Sequence, residues 1–105
     1  MLESEFQSKL IKQLESIFKG CVVLINDPNI IQGFPDLLIL YKKKWAALEC
    51  KTSKYASMQP NQEYYVDLLD GMSFASFIYP ENKERVLNEL QRAFEPRRST
   101  RIFKS

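Results

Sequence analysis

Apolar residues recur every three or four positions near both ends of the chain. The N-terminal repeat comprises Leu2, Phe6, Leu10, Leu14 and Ile17. It predicts an amphipathic helix from Glu3 to about Lys19, ended by Gly20. The C-terminal repeat comprises Val86, Leu87, Leu90 and Phe94. It predicts a second amphipathic helix over residues 81–94, stopped by Pro96.

The segment between these helices contains short continuous apolar runs. The runs at 21–25, 37–40, 45–48 and 73–79 have the length and composition of buried strands. Residues 26–33 are rich in Asn, Asp, Pro and Gly, which predicts a loop. Lys42, Lys43 and Lys44 most simply form the turn of a hairpin between the second and third strands. A further helix is expected from about Pro60 to Leu69.

The predicted order is helix, three strands, helix, strand, helix. This order is typical of an α/β sandwich, with a mixed four-stranded sheet flanked by helices and an extra C-terminal helix. The chain has 105 residues, which is enough for one domain with a modest core. We therefore predict a domain over residues 1–96 and a separate tail over 97–105.

The composition of the chain excludes several classes of protein and several kinds of active site. Hydrophobic residues make up 45% of the chain and charged residues 27%, as in an ordinary globular protein. No apolar run approaches the ~20 residues of a membrane helix, and the N-terminus lacks a secretory pattern, so a cytoplasmic location is expected. The absence of histidine excludes Ser-His and Cys-His triads and histidine-metal nucleases. Cys21 and Cys50 lack zinc-site spacing and are expected to be buried free thiols.

Positive charge is concentrated in the predicted tail. The last nine residues contain no acid, and their basic residues are Arg97, Arg98, Arg101 and Lys104. The remaining 96 residues contain 11 basic and 13 acidic side chains, a net charge of −2. Such a tail is typical either of a nucleic-acid-binding arm or of a solvated terminus.

Candidate catalytic residues lie at the ends of two predicted strands. Pro35 and Asp36 precede the second strand, and Glu49, Cys50 and Lys51 end the third. Successive side chains of a strand point to opposite faces, so Glu49 and Lys51 should project together while Cys50 turns into the other layer. Two carboxylates and an ammonium would then meet, which suits a hard cation such as Mg²⁺ and a phosphate substrate.

These motifs resemble those of the PD-(D/E)xK nuclease superfamily, and within it the virus-type replication-repair nuclease group, related to Holliday-junction resolvases. Residues 33–39 (GFPDLLI) and 48–52 (LECKT) match the two central motifs of that group, and Gln62 matches its helix glutamine. The resemblance covers about Glu3 to Tyr79 and implies a restriction-endonuclease-like αβββαβ core. Cys50 stands where the group usually has a larger apolar residue.

The resemblance implies a metal-dependent DNA endonuclease that acts on branched DNA in phage-type replication, recombination or repair. Asp36, Glu49 and the backbone carbonyl of Cys50 would hold Mg²⁺ or Mn²⁺, and Lys51 would orient water or stabilise negative charge. Gln62 and the helix residue Glu5 would assist, with Glu5 as a further metal ligand. The expected DNA-binding residues are Lys42, Lys43, Lys44, Lys54, Tyr55, Arg97, Arg98, Arg101 and Lys104.

Two alternatives remain open on the sequence. The first is an active structure-selective endonuclease, in the host cytoplasm if phage-encoded. The second is a catalytically inactive DNA-binding accessory or inhibitory module of the same fold. We also expect a homodimer, as in junction-resolving relatives, with an interface on the last helix or around Phe74 and Phe77.

Overall fold

The computed structural model describes residues 2–96 as three helices and four strands. In chain order these are α1 (Glu3–Ile17), β1 (Val22–Ile25), β2 (Leu37–Tyr41), β3 (Lys44–Cys50), α2 (Gln62–Met72), β4 (Ala75–Ile78) and α3 (Lys83–Phe94). The predicted basic tail, 97–105, lies outside the described residues. No helix of the described part is long and apolar enough to cross a membrane.

The four strands form one mixed sheet in the order β1-β2-β3-β4. The first three strands are antiparallel neighbours, and β4 pairs parallel to β3. A parallel pair needs a crossover connection, and α2 supplies it. The β2–β3 hairpin closes through Lys42 and Lys43, and the first of these takes a left-handed conformation with φ of 56°.

Helices cover the two faces of the sheet unequally. The apolar faces of α1 and α3 pack on one face in a cluster that includes Leu10, Leu90, Ile39 and Leu48. Among residues 2–96, the other face carries only α2, which packs Val66 and Leu69 in a smaller cluster over β3 and β4. The sheet therefore has a thick core on one face and a thin one on the other.

The predicted α/β class, element order and mixed four-stranded sheet are confirmed. The boundaries differ in two places. The first helix ends at Ile17, because Phe18 turns into the core and Gly20 adopts φ of +89°. The middle helix extends through Gly71 to Met72, beyond the predicted Leu69, and ends where the backbone N–H of Ser73 donates to the Leu69 carbonyl.

Candidate active site

Asp36 and Glu49 are brought together by the register of β2 and β3. Leu37 pairs with Leu48, so the residues immediately outside that pair face each other across the strands. The backbone N–H of Asp36 donates to Glu49 Oε1 at 3.2 Å, and the N–H of Cys50 donates to Asp36 Oδ2 at 2.9 Å. The two carboxyl groups are thus fixed by reciprocal backbone hydrogen bonds.

Gln62 connects Lys51 to Glu49. Lys51 Nζ donates to Gln62 Oε1 at 2.6 Å, and Gln62 Nε2 donates to Glu49 Oε2 at 2.9 Å. The exposed fractions of Glu49, Lys51 and Gln62 are 3%, 6% and 9%. This buried chain of contacts fixes the orientation of the amide, because its oxygen faces an ammonium and its nitrogen faces a carboxylate.

The loop between β3 and α2 folds back over Lys51. The carbonyl of Ser57 accepts a second hydrogen bond from Lys51 Nζ at 3.1 Å, and the backbone N–H of Gln59 donates to Gln62 Oε1 at 2.9 Å. Both groups belong to the backbone, so no side-chain motif in the sequence could have identified them. The loop therefore orients the lysine as well as connecting two elements.

Gly33 brings the loop before Asp36 against the start of α2. A Cβ at this position would lie 2.6 Å from the carbonyl oxygen of Pro60 and 2.7 Å from the Cβ of Asn61. Gly33 also has φ of +87°, which favours glycine. Asn61, the residue before α2, is itself left-handed, with φ of 68°. This close approach joins the loop that carries Asp36 to the helix that carries Gln62.

The electrostatics of the two carboxyl groups are unusual. Burial, followed by the negative charge of Asp36, raises the pKa of Glu49 to about 8 against the opposing charge of Lys51. Burial also raises the pKa of Asp36, while the Cys50 N–H, the Glu49 side chain and Lys51 favour its charged form. Ionising both carboxyl groups is therefore unfavourable unless an additional cation lies near them.

A divalent cation fits this donor set. Neither Asp36 nor Glu49 has a Lys or Arg nitrogen within 4.0 Å in the described part of the chain. Residues 2–96 contain no cluster of three or more Cys, Asp or Glu side chains arranged around a metal position. The protein would thus contribute two carboxylates and the Cys50 carbonyl, with water and phosphate as the other ligands. This is the partly hydrated coordination that Mg²⁺ favours.

The acidic residue that α1 directs towards the site is Glu3 and not the predicted Glu5. Burial, followed by the negative charge of Asp36, raises the pKa of Glu3. Both side chains are exposed, but positions two residues apart on a helix differ by about 200° around its axis, so Glu5 points elsewhere. Glu3 lies on the same side of α1 as the buried residues Phe6 and Leu10, three and seven positions further along the helix.

Gln7 is a second residue that the sequence analysis missed. It faces the Cys50 thiol, whose charged form it favours, and that thiol is fully buried on the α1 face of the sheet. Burial, together with the neighbouring acids Asp36, Glu49 and Glu3, raises the pKa of this thiol. Cys50 thus packs in the core with its side chain away from Lys51, as its place in the strand predicts, and is a structural thiol.

The predicted DNA-binding residues lie in different places. The turn at Lys42 and Lys43 is at the far end of the hairpin from Asp36, about 16 Å away for a five-residue strand. Lys44 Nζ donates to the carbonyls of Ala93 and Phe94, so this lysine caps the end of α3.

Lys54 and Tyr55 are nearer to the site. Both are exposed on the loop that follows Lys51, with the ammonium 5.0 Å from the ring centroid. The four tail residues, Arg97, Arg98, Arg101 and Lys104, lie outside the described residues. Of the predicted DNA contacts within residues 2–96, Lys54 and Tyr55 are therefore the ones closest along the chain to the candidate catalytic groups.

Comparisons with protein-family models, curated proteins and solved structures give no match for this chain. The candidate site is therefore interpreted from its geometry and from the motifs of the sequence.

Proposed function

We propose that the protein is a Mg²⁺-dependent endodeoxyribonuclease of the PD-(D/E)xK type, selective for branched DNA. One observation carries the proposal: Asp36, Glu49 and Lys51 converge at one end of the sheet, and Gln62 bridges the last two. Metal-dependent phosphodiester hydrolysis requires a carboxylate pair for the cation and a positive group for the phosphate. The arrangement supplies both.

The architecture supports the same proposal. The elements from α1 to β4 follow the order αβββαβ, and the paired carboxylates lie on the two central strands. A restriction-endonuclease-like core has this order, and α3 would be an addition to it. Fold alone does not determine function, so the argument depends on the residues at the site.

The side chains have separate roles in the proposed reaction. Asp36 and Glu49 would hold the cation, together with the Cys50 carbonyl. When bound, Mg²⁺ lowers the pKa of a coordinated water and neutralises phosphate charge. Lys51 would orient the attacking water or stabilise charge on the phosphate oxygens, at a position maintained by Gln62 and the Ser57 carbonyl. Glu3 would add negative charge at the rim.

Cleavage of labelled DNA tests the proposal. We expect nicking of four-way junctions, flaps or plasmid DNA with Mg²⁺ or Mn²⁺, and none with EDTA. A panel containing junction, flap, nicked duplex and linear duplex identifies the preferred structure. The Glu3→Ala and Glu5→Ala variants form a matched pair, because both remove one acid from the same turn of α1. The first should weaken cleavage and the second should not.

Two other results would decide against the proposal. Cleavage that persists unchanged in Asp36→Ala would assign the activity to a contaminant. Binding of branched DNA by the wild type, with no cleavage on any substrate in either metal, would favour a non-catalytic DNA-binding module.

A further inference from the structure

The loop between β1 and β2 carries apolar side chains where turn chemistry favours polar ones. Residues 26–33 include Asn, Asp, Pro and Gly, yet Ile30 and Ile31 stand side by side among them. Their exposed fractions are 78% and 41%. A single exposed apolar residue needs no explanation, but these two form one wall of a hollow in the surface.

The hollow has a volume of about 130 Å³, and its lining is completed by Asn26, Asp27 and Phe34. An apolar cavity of ~150 Å³ lined by Leu, Ile and Phe side chains is large enough to hold a benzene ring. The hollow is therefore about the size of one six-membered ring. Water inside it would find few hydrogen-bond partners on the isoleucine and phenylalanine walls, so a flat apolar ring is the better occupant.

The shape of the hollow is fixed by contacts within the loop and with α2. The backbone N–H of Asn29 donates to Asp27 Oδ1 at 2.8 Å, and the N–H of Phe34 donates to the Ile31 carbonyl at 3.2 Å. The ring of Phe34 packs on that of Tyr65, with 5.5 Å between the centroids. A ligand would therefore bind without first having to order the loop, which favours affinity.

The hollow is continuous with the candidate active site. Asn26 lines it, and the backbone N–H of Asn26 donates to the Asp36 carbonyl at 2.7 Å, while Nδ2 donates to the Pro35 carbonyl at 2.8 Å. Ile31 is five residues before Asp36, at most ~18 Å along an extended chain. A DNA strand rises ~3.4 Å per nucleotide, so a base in the hollow would lie within about five nucleotides of a phosphate at Asp36.

The polar groups at the rim of the hollow are hydrogen-bond acceptors. Residues 26–34 contain no Lys or Arg, and Asp27 is their one charged residue, so this loop does not attract phosphate. The Asp27 carboxylate and the Asn26 Oδ1 atom can instead accept hydrogen bonds from a base. Acidic side chains accept from the N4 amino group of cytosine. The size and the charge of the hollow thus both favour a pyrimidine, and cytosine in particular.

We propose that the hollow binds one unpaired pyrimidine base of the DNA strand that is cut. This inference rests on the proposed function and specifies what is recognised beside the cleaved phosphate. Removing a base from a duplex costs unstacking and unpairing energy, and that cost is smallest for a base that is already unpaired. The hollow would therefore strengthen binding at forks, flaps and junction centres and add little on intact duplex. Ile30 and Ile31 would be specificity-determining residues for branched DNA.

Binding to forked DNA tests the proposal without any assay of cleavage. The full chain carries Asp36→Asn, so that the DNA stays intact with Mg²⁺ present. The forks differ only in their five-nucleotide single-stranded arms, which are oligo-dC, oligo-dT, oligo-dA or abasic. The phosphates are thus the same throughout and only the bases change. We expect affinity to decrease from dC to dT and then to dA and abasic arms, with roughly a 10-fold difference between dC and abasic arms.

Two variants of the hollow's wall identify it as the binding site. Ile30→Ala and Ile31→Ala should each weaken binding of dC arms by roughly 5- to 10-fold and remove most of the preference over abasic arms, because apolar contact area is lost. Both side chains are exposed, so thermal unfolding should show a retained fold. The matched control is Met72→Ala, which shortens an exposed apolar side chain at the end of α2 far from Gln62 and should leave the order of affinities unchanged.

Three results would count against this base site. Equal affinity for dC and abasic arms would overturn the proposal, and tighter binding of dA than of dC would overturn the assignment to a single ring. A base preference that survives both isoleucine variants would overturn the choice of surface. The nuclease proposal is judged separately, by cleavage with the wild type. A chain that prefers dC arms and cuts no DNA would retain the base site, whereas cleavage without base preference would remove the base site alone.

Discussion

The two ends of the β2–β3 hairpin have opposite chemistry. At one end, Asp36 and Glu49 lie with Lys51 in a buried hydrogen-bonded network. At the other end, Tyr41 packs with Phe18 and Phe94 at ring-centroid distances of 5.3 Å and 5.5 Å. Aromatic packing of this kind at the second end stabilises the hairpin. Burying charged groups usually lowers stability relative to apolar residues of similar size. The stability of the fold therefore does not explain why charged residues are buried at the first end.

The largest expected difference between the two ends is in catalysis. Asp36→Asn and Glu49→Gln keep the side-chain shape but remove the negative charge that would hold Mg²⁺. We expect DNA cleavage to fall to background in both variants, and unfolding free energy to stay within ~1 kcal/mol of wild type or to rise. Lys43→Ala, at the other end of the hairpin, is the control for catalysis and should turn over normally when DNA is saturating, even if it weakens DNA binding. Full activity of Asp36→Asn would refute the role of this end.

The second difference is in the response of stability to pH. Glu49 has a pKa of about 8 in the folded protein, against an ordinary value of 4.5. The folded state therefore holds a proton that the unfolded state releases. The stability that Glu49 contributes is fully present below about pH 4.5 and is lost as pH rises through 8. In EDTA, urea unfolding should show a fall on the order of a few kcal/mol between pH 5 and pH 8.5.

Two variants identify the group responsible for this pH dependence. Glu49→Gln should flatten the pH profile, while Glu63→Gln, an exposed acid on α2, should leave it unchanged. An identical profile for wild type and Glu49→Gln would assign the pH dependence to other groups.

A smaller effect is expected at the residue that connects the network. Gln62→Ala leaves Lys51 and Glu49 without their shared partner, which should cost roughly 1–3 kcal/mol of stability. It should also slow cleavage by roughly 10- to 100-fold, as loss of supporting contacts at metal sites does. The paired control is Gln59→Ala, because Gln59 contributes only its backbone N–H to the network. Equal effects of the two variants would contradict a specific role for the Gln62 side chain.

The smallest effect is expected at the far end of the hairpin. Lys44→Ala removes an ammonium from the last carbonyls of α3 and should lower unfolding free energy by ~0.3–1 kcal/mol. Cleavage per folded molecule should not change. A salt series of DNA binding separates this role from phosphate contact. A flattening of the slope by ~0.9 in Lys44→Ala would mean that the lysine does contact DNA.

The α/β class and the order of elements were predictable because each element has its own local pattern. The three- to four-residue spacing of apolar residues in α1 and α3, and the apolar runs of the strands, mark the side chains that are buried. Both patterns can be read from the sequence. The common location of Asp36, Glu49 and Lys51 was also predictable, because strand alternation and the hairpin fix which side chains share a face. The end of α1 was less predictable, because its position depends on the packing of Phe18.

The sequence motifs did not identify two parts of the site. The motif favours Glu5, whereas Glu3 is the acid on the side of α1 that carries the buried Phe6 and Leu10. The Ser57 carbonyl and the Gln59 N–H had no signal, since every residue of a loop carries these groups.

The contact made by Gly33 has a consequence for how this domain can change. Two loops that are separate in the sequence, one before β2 and one before α2, touch at a point with no space for a methyl group. An insertion in either loop would have to preserve that contact or separate Asp36 from Gln62. We therefore expect the two loops to tolerate changes in length only when altered together. Engineering that grafts one of them from another protein should transplant both as a single unit.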